Sequence, residues 1–139
     1  MRYLLDTNVI SELIARHPSE RVINWLDQLD PASVYLSVIT ISELRKGIEK
    51  LADSSRKDQL LRWLTDELSI RFKERILALD VNVMLTWGEL VGRVERHGRP
   101  LAAIDSLIAA IALTHSCTLV TRNEADFKDT GLSVINPWK

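Results

Sequence analysis

Arg2-Tyr3-Leu4-Leu5-Asp6-Thr7-Asn8-Val9-Ile10 decides how the chain is read. A short apolar strand runs into an acid and two small polar residues, and the period then changes: Val9, Ile10, Leu13 and Ile14 fall at helical spacing. The same grammar recurs downstream. Val34-Tyr35-Leu36-Ser37-Val38 reads as a strand leading straight into a helix with Ile41, Leu44 and Ile48 on one face. Ile76–Leu79, ended by Asp80, precedes a helix from about Asn82 to Arg96 that presents Met84, Trp87, Val91 and Val94, and Gly98-Arg99-Pro100 stops it. The apolar helix Ile104–Leu113 feeds the strand Thr118–Thr121, and Ser133–Ile135 is a last short strand. Two further helices are expected, one over Arg21–Leu29 and one capped by Ser54 or Ser55 that carries Leu60, Leu61, Leu64 and Leu68.

Strands that alternate with helices build βαβ units, so the expected fold is α/β, with a short, mostly parallel sheet flanked by helices on both faces. The near-continuous apolar strands fit a sheet covered on both sides. No repeat, low-complexity tract or Pro/Gly/Ser-rich linker divides residues 1–139, so one domain is expected, long enough to bury a core without disulfides. Hydrophobic residues are 46% and charged residues 27%, ordinary for a globular protein. No apolar run approaches the ~18 residues of a membrane span, and the acid at position 6 comes too early for a signal peptide. The single Cys117 has no internal disulfide partner, which fits a reducing cytoplasm. His17, His97 and His115 lack ligand-like spacing, which argues against zinc. The net charge of −1 offers a nucleic acid no bulk attraction, so any such binding must rest on a local basic patch or on a metal bridging acids to phosphate.

Asp6 ends the first strand, Glu43 opens the helix after the second, Asp105 opens a late helix and Asp126 follows the Thr118–Thr121 strand. Each has a structural explanation of its own. Asp6 fits a helix N-cap; Glu43, three residues after Thr40, fits a capping box; Asp105 complements a helix dipole; and Asp126 fits a turn. Together they point elsewhere. Ligands in open α/β sheets sit beyond the carboxyl ends of the strands, and several carboxylates converging there repel one another unless a cation joins them. Hard oxygen donors without His or Cys suit Mg²⁺ or Mn²⁺. Such an ion can hold a phosphate, activate a water and stabilise a leaving oxygen, which amounts to phosphodiester hydrolysis.

Four stretches carry a specific likeness. Tyr3-Leu4-Leu5-Asp6-Thr7-Asn8-Val9-Ile10-Ser11-Glu12 resembles the opening of PIN-domain proteins, in particular the VapC toxins of type II toxin–antitoxin pairs and their FitB-like relatives. Leu36-Ser37-Val38-Ile39-Thr40-Ile41-Ser42-Glu43-Leu44-Arg45-Lys46-Gly47 resembles the second motif of that family. Ala103-Ile104-Asp105-Ser106-Leu107-Ile108-Ala109-Ala110 resembles the third, and Leu119-Val120-Thr121-Arg122-Asn123-Glu124-Ala125-Asp126-Phe127 the fourth, all in register along essentially the whole chain. The resemblance implies a Mg²⁺-dependent endoribonuclease (Mn²⁺ serving as well) that cuts RNA, is commonly a homodimer and is inhibited by a small cognate antitoxin. It also implies that Asp6, Glu43 and Asp105 hold the metal, while Thr7 or Asn8, and Thr121, orient acids, water or phosphate. The fourth acid falls either directly after Thr-Arg, where this chain has Asn123, or at Asp126; Asp126 is favoured, with Asn123 hydrogen-bonding behind it.

Arg45, Lys46 and Lys50 just beyond Glu43, and Arg93, Arg96 and Arg99 before the third motif, are placed either to grip RNA phosphates or to form solvated helix faces. Trp25, Trp63 and Trp87 sit near apolar helix positions and are expected in a core or dimer interface rather than as base-stacking platforms. Two rivals have less support. A haloacid-type phosphatase wants a second aspartate where this chain has Asn8. A PIN-fold binding module without turnover would have no use for three matched acids.

Overall fold

The two leucines that end the first strand define the layers. Successive side chains of a strand point to opposite faces, and Leu4 and Leu5, both almost wholly buried, enter different hydrophobic clusters. The computed structural model describes Met1–Lys139. Its elements are β1 (Arg2–Leu5), α1 (Thr7–Glu12), α2 (Glu20–Asp27), β2 (Val34–Ser37), α3 (Val38–Glu49), α4 (Ser55–Arg62), α5 (Ser69–Arg71), β3 (Ile76–Leu77), α6 (Val81–Arg96), α7 (Ala103–Thr114), β4 (Cys117–Val120) and β5 (Val134–Ile135). Leu4 and Leu119 pack with α6 and α7 on one face, through Val83, Leu90, Val94, Ile108 and Ile111. Leu5 and Val120 pack on the other against Val9, Val22, Leu44, Leu60 and Leu68. The result is three layers, helices on both sides of one sheet, as the alternation of strands and helices implies.

The sheet order is β3-β2-β1-β4-β5, and every pairing is parallel. The expectation of a mostly parallel sheet is thereby sharpened, because no hairpin closes either edge. β1 lies in the centre. Its register against β4, with Leu5 opposite Val120, puts the next residues, Asp6 and Thr121, side by side, and Asp6 N–H donates to the Val120 carbonyl at 2.9 Å.

Boundaries move where caps act. Val38, expected as the end of a strand, is the first residue of α3, because Ser37 Oγ accepts the Thr40 N–H at 3.1 Å and starts the helix there. Thr40 is therefore inside α3 and Glu43 is no capping-box residue. Ser54 caps α4, whose axis runs through a π-helical segment, Trp63–Leu68, into α5. Ser69 Oγ donates to the Leu64 carbonyl across that segment at 3.0 Å. α7 starts without a side-chain cap, at Ala102.

The tryptophans are packing residues. Trp25 meets Tyr3 edge-on with centroids 5.7 Å apart, Trp63 and Trp138 lie against the α1–α5 core, and Trp87 Nε1 donates to Ser106 Oγ at 2.9 Å. Cys117 is buried as a free thiol. No helix is long and apolar enough to cross a membrane.

Candidate metal centre

Three of the four acids leave the carboxyl edge of the sheet on different elements, and the fourth joins them from α7. Asp6 follows β1 and is the N-cap of α1; its Oδ1 accepts the Thr7 N–H at 2.9 Å. The N-cap reading of Asp6 is thus correct, and it accounts for only one of its oxygens. Oδ2 faces the neighbouring strand, where the Thr121 hydroxyl donates to it at 2.7 Å. Asn8 Nδ2 reaches the same Oδ2 at 3.5 Å and Thr121 Oγ1 at 3.3 Å, while its Oδ1 accepts the Arg122 N–H at 3.3 Å. Asn123 contributes its backbone N–H, which donates to Thr121 Oγ1 at 3.1 Å; its side chain is exposed.

Glu43 lies inside α3 and faces α1. The Thr7 hydroxyl donates to Glu43 Oε1 at 2.6 Å. That hydroxyl has one proton, so its 3.0 Å contact with Thr40 Oγ1 is completed by Thr40 donating to Thr7. Thr40, which the sequence pattern offers only as a cap, is a member of the carboxylate network. The signal that would have found it is Ser37-Val38-Ile39-Thr40: once Ser37 is taken as the N-cap, Thr40 falls in the first turn of α3.

Asp105 stands in the first turn of α7 and Asp126 in the short 3₁₀ turn Glu124–Phe127. Both line one 300 Å³ depression together with Lys128. Neither carboxylate accepts a hydrogen bond, and none of the four acids is ion-paired. Arg45 is instead paired with Glu49 at 2.9 Å on the surface of α3, and Lys46 is exposed in its last turn.

The electrostatics bind the four into one centre. Burial pushes the Asp6 carboxyl above its ordinary value of 3.8; Glu43 and Asp126 push the same way, against the Thr121 hydroxyl and the Thr7 N–H, which favour the charged form. Asp105 is raised by burial first, then by the charges of Asp126, Asp6 and Glu43. As placed, no three of these groups close on a common point at ligation distance. The donor set nevertheless fits a hard divalent cation. It is all carboxylate oxygen, it carries no counter-charge, and Oδ1 of Asp6 keeps a lone pair beside the one hydrogen bond it accepts. Asp105 and Asp126, free of hydrogen bonds, are free to turn toward an ion.

Known proteins share the chain's sequence pattern and its fold. The PIN domain family model matches residues 3–132. The chain is 42% identical over 135 residues to Toxin FitB of Neisseria gonorrhoeae, covering 97% of each protein. It is 33% identical over 136 residues to the VapC ribonuclease Y4jK of Sinorhizobium fredii, covering 98% of this chain and 97% of the relative. The crystal structure of FitAcB from Neisseria gonorrhoeae superposes with a TM-score of 0.93 at 41% identity, over 98% of both chains. On motif order, sheet topology and these matches, the chain belongs to the PIN domain family, alongside proteins named FitB and VapC.

Proposed function

We propose that this chain is the toxin of a type II toxin–antitoxin pair and acts as an endoribonuclease, hydrolysing RNA phosphodiester bonds with Mg²⁺ or Mn²⁺ held by Asp6, Glu43, Asp105 and Asp126. The observation that carries the reading is a set of four carboxylates without a single cationic partner, two of which burial first, and then the charges of the others, makes readier to bind protons. A divalent cation there supplies positive charge that draws in a phosphate and stabilises the departing oxygen. The choice of RNA over DNA is supported by the relative named a VapC ribonuclease.

The chain's own residues prepare the site. Thr121 and the Thr7 N–H fix both oxygens of Asp6, and the Thr7 hydroxyl fixes one oxygen of Glu43, so these two ligands are aimed before any ion arrives. Asn8 locks Thr121 and the start of the Arg122–Asn123 turn to α1. Asp126 rather than Asn123 takes the fourth position, since its charge acts on both Asp6 and Asp105. Lys46, free of ion pairs, and Arg45 beyond it serve the flanking phosphates. A small cognate antitoxin covering the acids, a homodimeric assembly and a cytoplasmic setting, where the lone thiol of Cys117 stays reduced, complete the proposal.

The test is incubation of purified, antitoxin-free protein with total RNA, in Mg²⁺ or in EDTA. Cleavage in Mg²⁺ that Asp6→Asn or Asp105→Asn lowers by at least ~10²-fold is the expected result. Equal cleavage in EDTA overturns the metal mechanism.

A further inference from the structure

A polyanion approaching four unpaired carboxylates is repelled before it reaches them, and the net charge of −1 supplies no general attraction. An ion held by the acids offsets this only at the scissile phosphate, so the flanking phosphates need cations of the protein along the path the strand takes. Three adjoining depressions trace such a path. The first, of 300 Å³, is lined by Asp105, Asp126, Lys128, Asp129 and Val94. The second, of 250 Å³, shares Val94 and Asp129 with the first and adds Arg93, His97 and Arg99. The third, of 630 Å³, shares Arg93 with the second and adds Arg96, Glu89 and the side-chain-free surfaces of Gly88 and Gly92. The shared residues make the three neighbours, in a series that starts at Asp105 and Asp126 and follows α6.

Its charge suits a polyanion. Apart from the site acids, the groove carries Arg93, Arg96, Arg99 and Lys128 against Asp129 and Glu89. Arg99 holds Asp129 at 2.5 Å and Arg93 Nη2 donates to the Thr130 carbonyl at 3.3 Å, which fixes both guanidiniums. The side chains of Arg96 and Lys128 make no ion pair or hydrogen bond. Cations in the last turn of a helix complement its dipole, and that accounts for Arg93 and Arg96 on α6. It does not account for Arg99 and Lys128, which lie on other segments and open into the same groove.

Building on the ribonuclease reading, we propose that single-stranded RNA lies in this groove, with the phosphates on one side of the scissile bond held by Lys128, Arg99, Arg93 and Arg96 in that order away from the acids. Arg96 and Lys128 meet phosphate with unpaired side chains, Arg99 and Arg93 from the fixed positions that Asp129 and the Thr130 carbonyl give them.

The test measures binding of a mixed-sequence RNA oligonucleotide to the Asp6→Asn protein in EDTA, where cleavage cannot intervene, over a series of salt concentrations. Each phosphate contact on a single strand contributes about 0.7 to the slope of log K against log salt. Arg96→Ala with Lys128→Ala is expected to lower the slope by about 1.4 and to weaken binding equally across RNA sequences. Arg16→Ala with Arg21→Ala, the same charge change on exposed arginines near α2, is the control and is expected to leave the slope near that of the parent. Equal slopes for the two pairs overturn the groove. A protein with Asp6 intact that cuts RNA in Mg²⁺ while the groove pair binds like its parent overturns the groove alone. One that neither cuts nor binds RNA overturns the ribonuclease reading, and the groove with it.

Discussion

The Thr7 hydroxyl and Glu43 Oε1 meet at 2.6 Å although they lie 36 residues apart in the chain. One belongs to the first turn after β1 and the other to α3, so this bond ties together the two elements that carry the first two acids. Thr7→Val, which keeps the shape and deletes the hydroxyl, is expected to cost about 1 kcal/mol of stability and to weaken divalent-ion binding by roughly 10-fold or more. Thr7→Ser should restore both. Urea unfolding and Mn²⁺ titration check the pair of effects; a serine variant that binds Mn²⁺ no better than the valine one would mean the methyl, not the hydroxyl, matters.

The raised proton affinities of Asp6 and Asp105 set a pH dependence with a definite sign. In the folded protein both bind protons above their ordinary 3.8, so the native state carries more protons than the unfolded chain in that interval. Stability of the metal-free protein therefore falls as pH rises through it. Thermal melts in EDTA should show Tm rising as pH is lowered from neutral. The gain reverses once carboxylates with lowered values protonate, among them exposed Glu124, which the Lys139 ammonium holds below its usual 4.5.

Asp105→Asn removes one repelling charge at nearly constant shape. Because the group is half exposed, the expected gain for the metal-free protein is modest, about 0.5–1 kcal/mol after solvent screening. The same change should abolish the Tm increase that Mg²⁺ gives the parent. A loss of stability in EDTA would instead make Asp105 a dipole-complementing residue of α7.

Asp126 and Asn123 compete for the fourth position, and cleavage assays rank them. Asp126 adds charge at Asp6 and Asp105, while Asn123 engages the network through its main chain alone. Asp126→Asn should therefore impair turnover far more than Asn123→Ala, whose backbone N–H survives. The reverse order moves the site to Asn123.

Ser37 tests the helix start that the sequence pattern misplaced. Its hydroxyl is buried and caps α3. Ser37→Ala should destabilise the protein by about 1 kcal/mol, and Ser37→Thr by much less, as read by chemical denaturation.

The strand–acid–helix grammar was legible because burial on both faces of a parallel sheet leaves apolar runs, and because polar residues must follow where each strand ends. Asp6, Glu43, Asp105 and Asp126 were singled out at strand ends and helix starts by that grammar together with the family likeness, and the structure puts Asp6 and Glu43 within one hydrogen-bond network through Thr7. Three things were not readable from residue spacing. Thr40 and Glu43 stand three apart, as a capping box requires, and only the competing cap at Ser37 removes that reading. The Leu60, Leu61, Leu64 and Leu68 spacing is that of a regular helix, and the π-helical segment at Trp63–Leu68, spanned by the Ser69–Leu64 hydrogen bond, leaves no mark in that spacing. The order of the strands depends on contacts between distant segments, which local pattern does not carry.

That order has a consequence for how the molecule comes into being. The central strand precedes every other strand of its sheet in the chain, and its partner β4 arrives more than a hundred residues later: Arg2 pairs with Cys117, and Asp6 finds Thr121 across a separation of 115. Every strand pairing is non-local, and pairings of that kind slow folding relative to a helical bundle of the same size. An N-terminal stretch leaving a ribosome has β1, β2 and β3 but lacks the strand on the other side of β1, the hydroxyl that orients Asp6, and two of the four acids. The carboxylate centre is therefore completed only once β4 and the Glu124–Phe127 turn have been made, and a chain cut short before Cys117 lacks Asp126 and the Thr121 hydroxyl that orients Asp6.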